Sequence, residues 1–401
     1  MKSIARYKKK FGIIGGGQLG KMICHCASLL GFETLIYSDI ANACAVNYCD
    51  KSYIASFDSE KLLDFCNECD FITTEFENIN LLPILNSKFC DNKSQFFLQN
   101  FANIYSIFIS QNRLREKTLA QNLKILTPHF KAILSKNDLI EFQARHNNCI
   151  VKTTTMGYDG KGQFVIKNKQ DIDKIPSEYF ELKNKSLLND SNFKYFIKQN
   201  CNNFENIYDL DLSEVFLIAE SFVDYKLEFS VVLTRFKNNN VVFFPIGQNI
   251  HKNGILQESI IKNNIIDDNI ITKAQNQAKL ISQSIDFVGT MAVEFFLTNN
   301  NDVIFNEIAP RPHNSAHYSM DLCNISQFES HVRAVADLPS ITPKLIHQGK
   351  MINLLGEDTF ELVDKFINNQ NAKIHLYGKT IDINKSISNR KLGHINVIES
   401  N

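Results

Sequence analysis

Two acidic residues late in the chain stand where they could share a metal ion. Glu294 and Glu307 lie in the apolar segments Met291–Leu297 and Val303–Ile308, which a short polar turn separates. This pattern predicts a β-hairpin, and a hairpin symmetric about the Asn300–Asn301 pair would place the two carboxylates opposite each other. Facing carboxylates repel unless a divalent cation lies between them, and Mg²⁺ prefers such oxygen ligands. We therefore expect a magnesium site here; a shifted register is the alternative.

A glycine-rich loop in mid-chain also carries polar and basic groups. The segment Gly157–Gly162 follows Lys152, which ends a predicted strand, and it contains Asp159 and Lys161. A loop of this kind can fold over a polyphosphate, although an Asp-Gly pair also favours an ordinary hairpin turn. It is not a Walker A loop, which requires GxxxxGK[ST].

A first glycine loop, GGGQLG at Gly15–Gly20, stands between a predicted strand and a predicted helix. Glycines allow an anion to approach the backbone, and a helix N-terminus offers free N–H groups. Asp39 follows the next strand, where a dinucleotide site would place its ribose-binding acid. The motif alone therefore indicates NAD binding, but the same loop would hold a phosphate monoester equally well.

Other polar residues follow or flank the predicted strands. Arg311 and His313 lie in a proline-rich loop directly after Glu307, which favours contact with an anion or a substrate. A zinc site at His313-x-x-x-His317 is not favoured, because the prolines make His313 a loop residue. Glu220 and Glu228 flank a connection between strands and could hold a nucleoside, although a solvated turn is an equal alternative.

Two short motifs have simpler interpretations. The basic cluster RKLGH at residues 390–394 is interpreted as a charged turn on its own evidence. Cys66-x-x-Cys69 lacks the second pair of ligands that a tetrahedral zinc site needs. We therefore expect neither metal binding nor redox chemistry from the cysteine pair.

The composition is that of an ordinary globular protein of two or three domains. The chain has 401 residues, of which 44% are hydrophobic and 21% charged, and 43 basic residues balance 43 acidic ones. A nucleic-acid-binding protein usually has a basic excess, so nucleic acid is not expected as a partner. No apolar run approaches the length of a membrane span, and we expect no signal peptide. The prediction is a cytoplasmic protein without a membrane partner.

Strands and helices alternate over the first hundred residues, which predicts a parallel, doubly wound (Rossmann-like) α/β domain at 1–112. From Asn112 onward the pattern changes to α+β with many antiparallel strands, and a helix is predicted at Arg113–Asn122. We assign a second domain to 113–330, with a polar surface insertion at about 173–214. Residues 331–401 are predicted to form a small β-rich C-terminal subdomain.

Together these motifs resemble the ATP-grasp superfamily and, within it, the 5-(carboxyamino)imidazole ribonucleotide synthase family. The similarity implies a pre-ATP-grasp domain, a central ATP-grasp domain and the C-terminal subdomain. The segments that carry it are GGGQLG (15–20), TEFENI (74–79), QNR (111–113), VKTTTMGYDGKGQ (151–163), AESF with Glu228 (219–228), QNIHKNGILQES (248–259), GTMAVEFF (289–296), NEIAPRPHNS (306–315), SQFESHVRA (326–334) and RKLGH (390–394).

The resemblance implies an ATP-dependent carboxylation of aminoimidazole ribonucleotide by bicarbonate, through carboxyphosphate, in purine biosynthesis. It also implies a homodimer, and Mg²⁺ ligated by Glu294 and Glu307. The residues implied in ATP binding are Arg113, Lys152, Gly157, Tyr158, Asp159, Gly160, Lys161, Gly162, Gln163, Glu220, Ser221, Phe222, Val223, Glu228, His251, Asn306 and Glu307.

The same resemblance implies a second set of residues for the other substrates. Those implied to act on the imidazole ribonucleotide and bicarbonate are Tyr158, Asp159, Arg311, His313 and Lys391. The phosphate of the ribonucleotide would lie on Gly17, Gln18 and Leu19 with Arg390, which replaces the NAD interpretation of the first glycine loop. Asp159 is expected to orient the substrate amine or accept its proton.

Three competing functions remain to be separated. The first is a dinucleotide-dependent oxidoreductase, which would leave the acidic hairpin without a purpose. The second is a nucleotide-binding regulatory module without catalysis. The third, within the superfamily, is a formate-dependent glycinamide ribonucleotide transformylase.

Overall fold

The computed structural model describes residues 9–57, 59–79, 103–155, 162–182, 215–381 and 386–399. Within these ranges the strands form three sheets. No described helix is both long enough and apolar enough to cross a membrane. The predicted insertion at 173–214 lies mostly outside the described residues.

The N-terminal sheet is parallel, in the order β3-β2-β1-β4, as the alternating pattern predicts. The buried run at β1 pairs with β2 on one side and β4 on the other, and α1 covers one face. Ser59 Oγ accepts a hydrogen bond from Lys61 N (3.2 Å) just before α2 begins. The elements are β1 (Lys10–Ile14), α1 (Gln18–Leu29), β2 (Glu33–Ser38), β3 (Lys51–Ile54), α2 (Lys61–Glu68) and β4 (Phe71–Thr74).

Two helices connect this sheet to the rest of the chain. They are α3 (Ile104–Ser110) and α4 (Arg113–Asn122), and α4 has the predicted bounds. Asn112 caps α4, since its side chain accepts hydrogen bonds from the backbone N–H groups of Leu114 (2.9 Å) and Arg115 (3.3 Å). The first residue of α4 is therefore Arg113, one of the predicted nucleotide-binding residues.

A small antiparallel sheet follows, in the order β5-β8-β6-β7. One face packs against the helices α5 and α6 through buried apolar side chains. The elements are β5 (Phe130–Ile133), α5 (Lys136–His146), β6 (Cys149–Thr153), β7 (Gln163–Ile166), α6 (Lys169–Ile172) and β8 (Leu217–Ser221).

The largest sheet is antiparallel and has the order β14-β13-β9-β11-β12-β15-β17-β16, with β10 paired to β9. Its C-terminal strands join through the β12–β15 pairing, so one sheet continues across the predicted boundary at residue 330. Its elements are β9 (Tyr225–Arg235), β10 (Val241–Phe243), β11 (Gln248–Lys252), β12 (Ile255–Ile261), α7 (Asp268–Ser284), β13 (Gly289–Thr298), β14 (Val303–Ala309), α8 (Ser319–Leu322), α9 (Gln327–Val335), β15 (Gly349–Leu355), α10 (Asp358–Phe366), β16 (Ala372–Leu376) and β17 (Lys391–Ile398).

One buried histidine links the N-terminal sheet to the largest sheet. His331 on α9 accepts a hydrogen bond at Nδ1 from Thr290 N (2.9 Å), so its Nε2–H donates to Thr73 Oγ1 (2.7 Å). Gly289 leaves room for the ring, since a Cβ there would lie 2.8 Å from it. Burial lowers the pKa of His331 from the usual 6.5 to about 3. The imidazole is therefore neutral wherever the protein is folded near neutral pH.

Replacing His331 by asparagine should weaken the acid sensitivity of the fold. Between pH 6.5 and about 3 the unfolded chain binds a proton at His331 and the folded chain does not, so the unfolding free energy falls with decreasing pH. The contribution of one histidine is at most about 1.4 kcal/mol per pH unit. In urea unfolding at pH 4–7, His331→Asn should therefore show a shallower pH dependence. The exposed His347→Asn is the control, and equal slopes for both variants and the unmodified protein would contradict the expectation.

Candidate active site

The two predicted metal ligands lie together on the hairpin of β13 and β14. Val293 pairs with Ile308 and Phe295 with Phe305, so a β-bulge leaves Glu294 facing two residues of β14, Asn306 and Glu307. The predicted pairing register therefore holds in the half of the hairpin that is distant from the turn. In the half next to the turn, the register is shifted by one residue. The two acids remain neighbours.

The electrostatics of this pair favour a bound cation. Burial and then the nearby Glu307 carboxylate raise the pKa of Glu294 to about 7. His313 Nε2 lies 3.3 Å from Glu294 Oε1, but burial and then Arg311 lower the pKa of His313 well below its usual range, so the ring is neutral. No protein cation therefore compensates Glu294 directly at this contact. Carboxylate oxygens that lack a compensating protein cation are suitable ligands for Mg²⁺.

The two acids would supply only part of a metal's coordination. Among the described residues, no group of three or more histidine, cysteine, aspartate or glutamate side chains could hold a metal ion. Phosphate oxygens of a bound nucleotide, water or the neighbouring amide of Asn306 would supply the remaining ligands. His317, the second histidine of the HxxxH motif, instead accepts a hydrogen bond from Gln327, and Cys66 and Cys69 are buried free thiols.

A buried carboxylate between two lysines forms the opposite side of the site. Glu220 Oε2 on β8 lies 3.0 Å from Lys152 Nζ on β6 and 3.4 Å from Lys117 Nζ on α4. Burial alone would raise the pKa of Glu220, but Lys117 and Lys152 lower it to about 2. Its second oxygen, Oε1, is buried without a hydrogen-bond partner, and a donor group of a bound ligand would satisfy it. The arrangement places fixed positive charge beside a vacant acceptor.

Lys117 is a residue of this site that sequence reasoning missed. Its Nζ also donates to the carbonyl of Asn306 (2.7 Å), so it joins Glu220 to the acidic hairpin. The signal was its position one helical turn after Arg113 on α4. Arg113 makes a parallel link, since its NH1 donates to the Thr153 carbonyl (3.1 Å) and its NH2 lies 3.9 Å from Glu307 Oε2.

The predicted pair Glu228 and His251 is held on adjacent strands. The two side chains form an ion pair between β9 and β11. Although burial opposes protonation, Glu228 raises the pKa of His251 and is itself held ionised. Tyr225 stacks on Phe296 at the same end of β9, with ring centroids 4.7 Å apart.

The predicted loops around the nucleotide are described only in part. Gly157, Tyr158, Asp159, Gly160 and Lys161 lie outside the described residues.

The last residue of the glycine loop, Gly162, has a backbone conformation that favours glycine. Gly162 has φ +70, and a Cβ there would lie 2.9 Å from Thr153 Oγ1, so only glycine fits without strain. Gln163 pairs with Lys152 across β6 and β7.

The segment after β8 runs along the edge of the small sheet. Ser221 Oγ accepts a hydrogen bond from His129 N (3.0 Å), and Phe222 N donates to the Asn148 carbonyl (3.1 Å). The Phe222 side chain is exposed and Val223 is half-buried. Ser221 and Phe222 are thus tied to the residues that directly precede β5 and β6, and the Phe222 side chain stays exposed.

The first glycine loop holds a carboxylate of the protein itself. Glu75 Oε1 accepts a hydrogen bond from Gly17 N (2.8 Å) and Oε2 accepts one from Gly20 N (2.6 Å). A Cβ at Gly17 would lie 2.2 Å from Glu75 Oε1, which explains the glycine. Gln18 and Leu19 begin α1 at this point. A phosphate bound here would share the helix N-terminus with Glu75.

Cations from the C-terminal strands approach the same region. Arg390 NH1 donates to the Thr380 carbonyl (2.8 Å), and the charge of Lys391 acts on both Glu294 and His313. Lys379, which sequence reasoning missed, is close enough to Glu75 to interact with it, and burial lowers its pKa to about 8.

The loop after β14 completes this side of the site. Arg311 Nε donates to Glu77 Oε2 (2.8 Å), which joins the loop to the segment after β4. The site therefore combines an acidic hairpin, a lysine pair and a cationic pocket.

Removing one of the facing acids should stabilise the ligand-free protein. Glu294→Gln keeps the shape of the side chain and removes its repulsion with Glu307, so we expect the unfolding free energy to rise by about 1 kcal/mol. Urea unfolding at pH 8 without nucleotide or metal measures this. Glu258→Gln is the matched control, because Glu258 also lies in a strand but contacts a cation, Lys350 Nζ at 3.1 Å. A loss of stability in Glu294→Gln as large as in the control would contradict the interpretation.

Three family models match successive parts of the chain. They are the ribonucleotide synthetase preATP-grasp domain at residues 8–88, the ATP-grasp domain at 118–328 and the phosphoribosylaminoimidazole carboxylase C-terminal domain at 350–401. The ATP-grasp match spans about half of the chain and contains the acidic hairpin and Lys152, and Lys117 directly precedes it.

Similar proteins cover nearly the whole chain. The N5-carboxyaminoimidazole ribonucleotide synthase of Staphylococcus aureus (strain MRSA252) is 34% identical, with 98% of this chain and 93% of that protein aligned. The synthase of Bacillus subtilis (strain 168) is 33% identical, over 96% and 90%. The crystal structure of the S. aureus N5-carboxyaminoimidazole synthetase complexed with ADP has a TM-score of 0.81 at 31% identity, over 99% and 95% of the two chains. With matches of this extent, the chain belongs to the N5-carboxyaminoimidazole ribonucleotide synthase family of ATP-grasp enzymes.

Proposed function

We propose that this protein catalyses the ATP-dependent carboxylation of 5-aminoimidazole ribonucleotide in purine biosynthesis. A bicarbonate oxygen forms a bond to the γ-phosphorus of ATP as the bond to ADP breaks, which gives carboxyphosphate. Carboxyphosphate then releases its carboxyl carbon, as carbon dioxide, to the exocyclic amine of the ribonucleotide. A C–N bond forms, the amine loses one proton, and phosphate leaves.

The observation that carries this proposal is the facing pair Glu294 and Glu307. Opposite this pair lie the two lysines that contact Glu220. The acids are suited to a cation. Lys117 and Lys152 supply positive charge at Glu220, and Lys117 also donates to the carbonyl of Asn306 on the acidic hairpin. A transferring phosphoryl group spreads negative charge over its oxygens, and fixed cations stabilise that charge. The arrangement thus provides what phosphoryl transfer to bicarbonate requires.

Mg²⁺ would be held by Glu294 and Glu307 and, when bound, would neutralise charge on the terminal phosphates of ATP. We assign the nucleotide to the predicted residues around it: Arg113, Lys152, the loop 157–163, the segment 220–223, Glu228, His251, Asn306 and Glu307. The unpaired Oε1 of Glu220 and the ion pair of Glu228 with His251 support this assignment.

We assign bicarbonate and the imidazole to the side of the site formed by Arg311, His313 and Lys391, with Tyr158 and Asp159. The neutral state of His313 supports this role, because a neutral ring can donate one hydrogen bond without adding a second positive charge.

The ribonucleotide phosphate is assigned to Gly17–Leu19 and Arg390. Lys379 supports the assignment, since it adds positive charge beside Glu75 at the helix N-terminus. Because Glu75 uses the Gly17 N–H, we expect the phosphate to contact the loop next to this carboxylate rather than replace it.

The cellular setting is proposed from the balanced charge and the family resemblance. We propose a cytoplasmic homodimer that acts on small molecules and binds neither nucleic acid nor membrane.

One assay separates the candidate functions. The protein should release ADP in the presence of aminoimidazole ribonucleotide, bicarbonate and MgATP. It should not respond to formate with glycinamide ribonucleotide, and it should not oxidise NADH. Glu294→Gln, expected to fold, should lose ADP release by at least about a hundredfold because a metal ligand is missing. The proposal would be refuted by ADP release with formate and glycinamide ribonucleotide only. It would also be refuted by the absence of ADP release with bicarbonate and aminoimidazole ribonucleotide.

Lys117→Met tests whether the buried lysine organises the nucleotide site. The variant leaves Glu220 with a single lysine and the Asn306 carbonyl without its donor, so ATP affinity should fall about tenfold, close to the loss of one charged hydrogen bond. Isothermal titration with ATP measures this. Lys131→Met is the control, because Lys131 pairs with Asp138 away from the site. Equal affinity in the two variants would assign Lys117 a purely structural role.

A further inference from the structure

The side chain of Gln327 makes two hydrogen bonds to the loop that carries Arg311 and His313. It is the first residue of α9 and is fully buried. Its Oε1 accepts from His313 N (2.8 Å), and its Nε2 donates to the His313 carbonyl (2.8 Å) and to His317 Nδ1 (2.9 Å). Its backbone N donates to Ser319 Oγ (3.0 Å).

Only a carboxamide can satisfy this set of contacts. The backbone N–H of His313 requires an acceptor, while its carbonyl and the Nδ1 of His317 require donors, so the amide orientation of Gln327 is determined. A carboxylate at position 327 would place an acceptor oxygen against the His313 carbonyl, which is itself an acceptor. An apolar side chain would leave the N–H of His313 without its acceptor, which is costly, and its carbonyl with the bond from Ala316 N (3.1 Å) alone.

The same residue connects the loop to the rest of the site. The carbonyl of Gln327 accepts from Thr290 Oγ1 (3.0 Å), and one turn later His331 bonds both Thr290 and Thr73. Thr73 is in β4, the strand that leads to Glu75 and Glu77. The Arg311–His313 loop is thus fixed relative to both the N-terminal sheet and β13.

We propose that Gln327 is a positioning residue that holds the His313 backbone where carboxyphosphate meets the amine. The inference rests on the proposed function. The other described hydrogen bonds of His313 are local or lie on its ring: Ala316 N donates to its carbonyl (3.1 Å), and Ser315 and Glu294 contact the ring. Gln327 thus ties the His313 backbone to α9. A displaced loop would admit water to carboxyphosphate, which would hydrolyse to bicarbonate and phosphate before transfer. Gln327 would therefore set the number of ATP molecules consumed per carboxylated product.

The test is to measure ADP and carboxylated product together in Gln327→Glu and Gln327→Met. Product formation should fall at least about tenfold, comparable to the loss of one buried hydrogen bond, while the KM for ATP changes by less than about twofold. The ratio of ADP to product should rise from one to several. A general loss of stability does not predict this change in ratio.

Ser330→Ala is the matched control. Ser330 lies on the same helix, is fully buried and donates to Thr234 Oγ1 (2.8 Å), but it does not contact the loop. It should lower stability and keep a ratio of one. If neither Gln327 variant folds, His317→Leu should raise the ratio, whereas His317→Asn, which retains an acceptor for Gln327, should not.

Hydrogen exchange separates this proposal from the proposed function. In Gln327→Met, exchange should become faster in peptides covering residues 311–319 and remain unchanged in β13. Failure of the unmodified protein to carboxylate the ribonucleotide would refute the proposed function alone. A Gln327 variant that folds with a ratio of one, or with unchanged exchange in the loop, would overturn the positioning role.

Discussion

The constraint on which the site depends is the closeness of two carboxylates in a buried hairpin. Glu294 and Glu307 repel each other, and the neutral ring of His313 does not relieve that repulsion. The fold tolerates the conflict because β13 pairs with β9 along its whole length and the surrounding side chains are buried. The ligand-free protein thus stores unfavourable electrostatic energy where a cation would release it, a common compromise between stability and function.

Much of the architecture could be predicted from local sequence patterns. The parallel N-terminal sheet follows from alternating strand and helix signals, and α4 has the predicted bounds because Asn112 is a strong cap. The hairpin of Glu294 and Glu307 was predictable because its two strands are close in sequence. The bulge between the two strands was not predicted.

The parts that could not be predicted all depend on contacts between distant segments. The position of Lys117 one turn after Arg113 indicates its face of the helix, but its partner Glu220 lies about a hundred residues later in the chain and is brought to it by the fold. The first glycine loop is compatible with a dinucleotide, a phosphate or an internal acid, and only the fold shows that Glu75 reaches it. Gln327 was visible within a family motif, but its role depends on the backbone of a loop that precedes it.

The continuity of the largest sheet limits how the two sides of the pocket can move. Glu294, His251 and Lys391 stand on strands joined by an uninterrupted ladder from β13 through β9, β11, β12 and β15 to β17. The three residues therefore stand on one continuous sheet. Because Lys152 stands on a separate sheet, we expect any opening or closing of the pocket to move the small sheet relative to the large one.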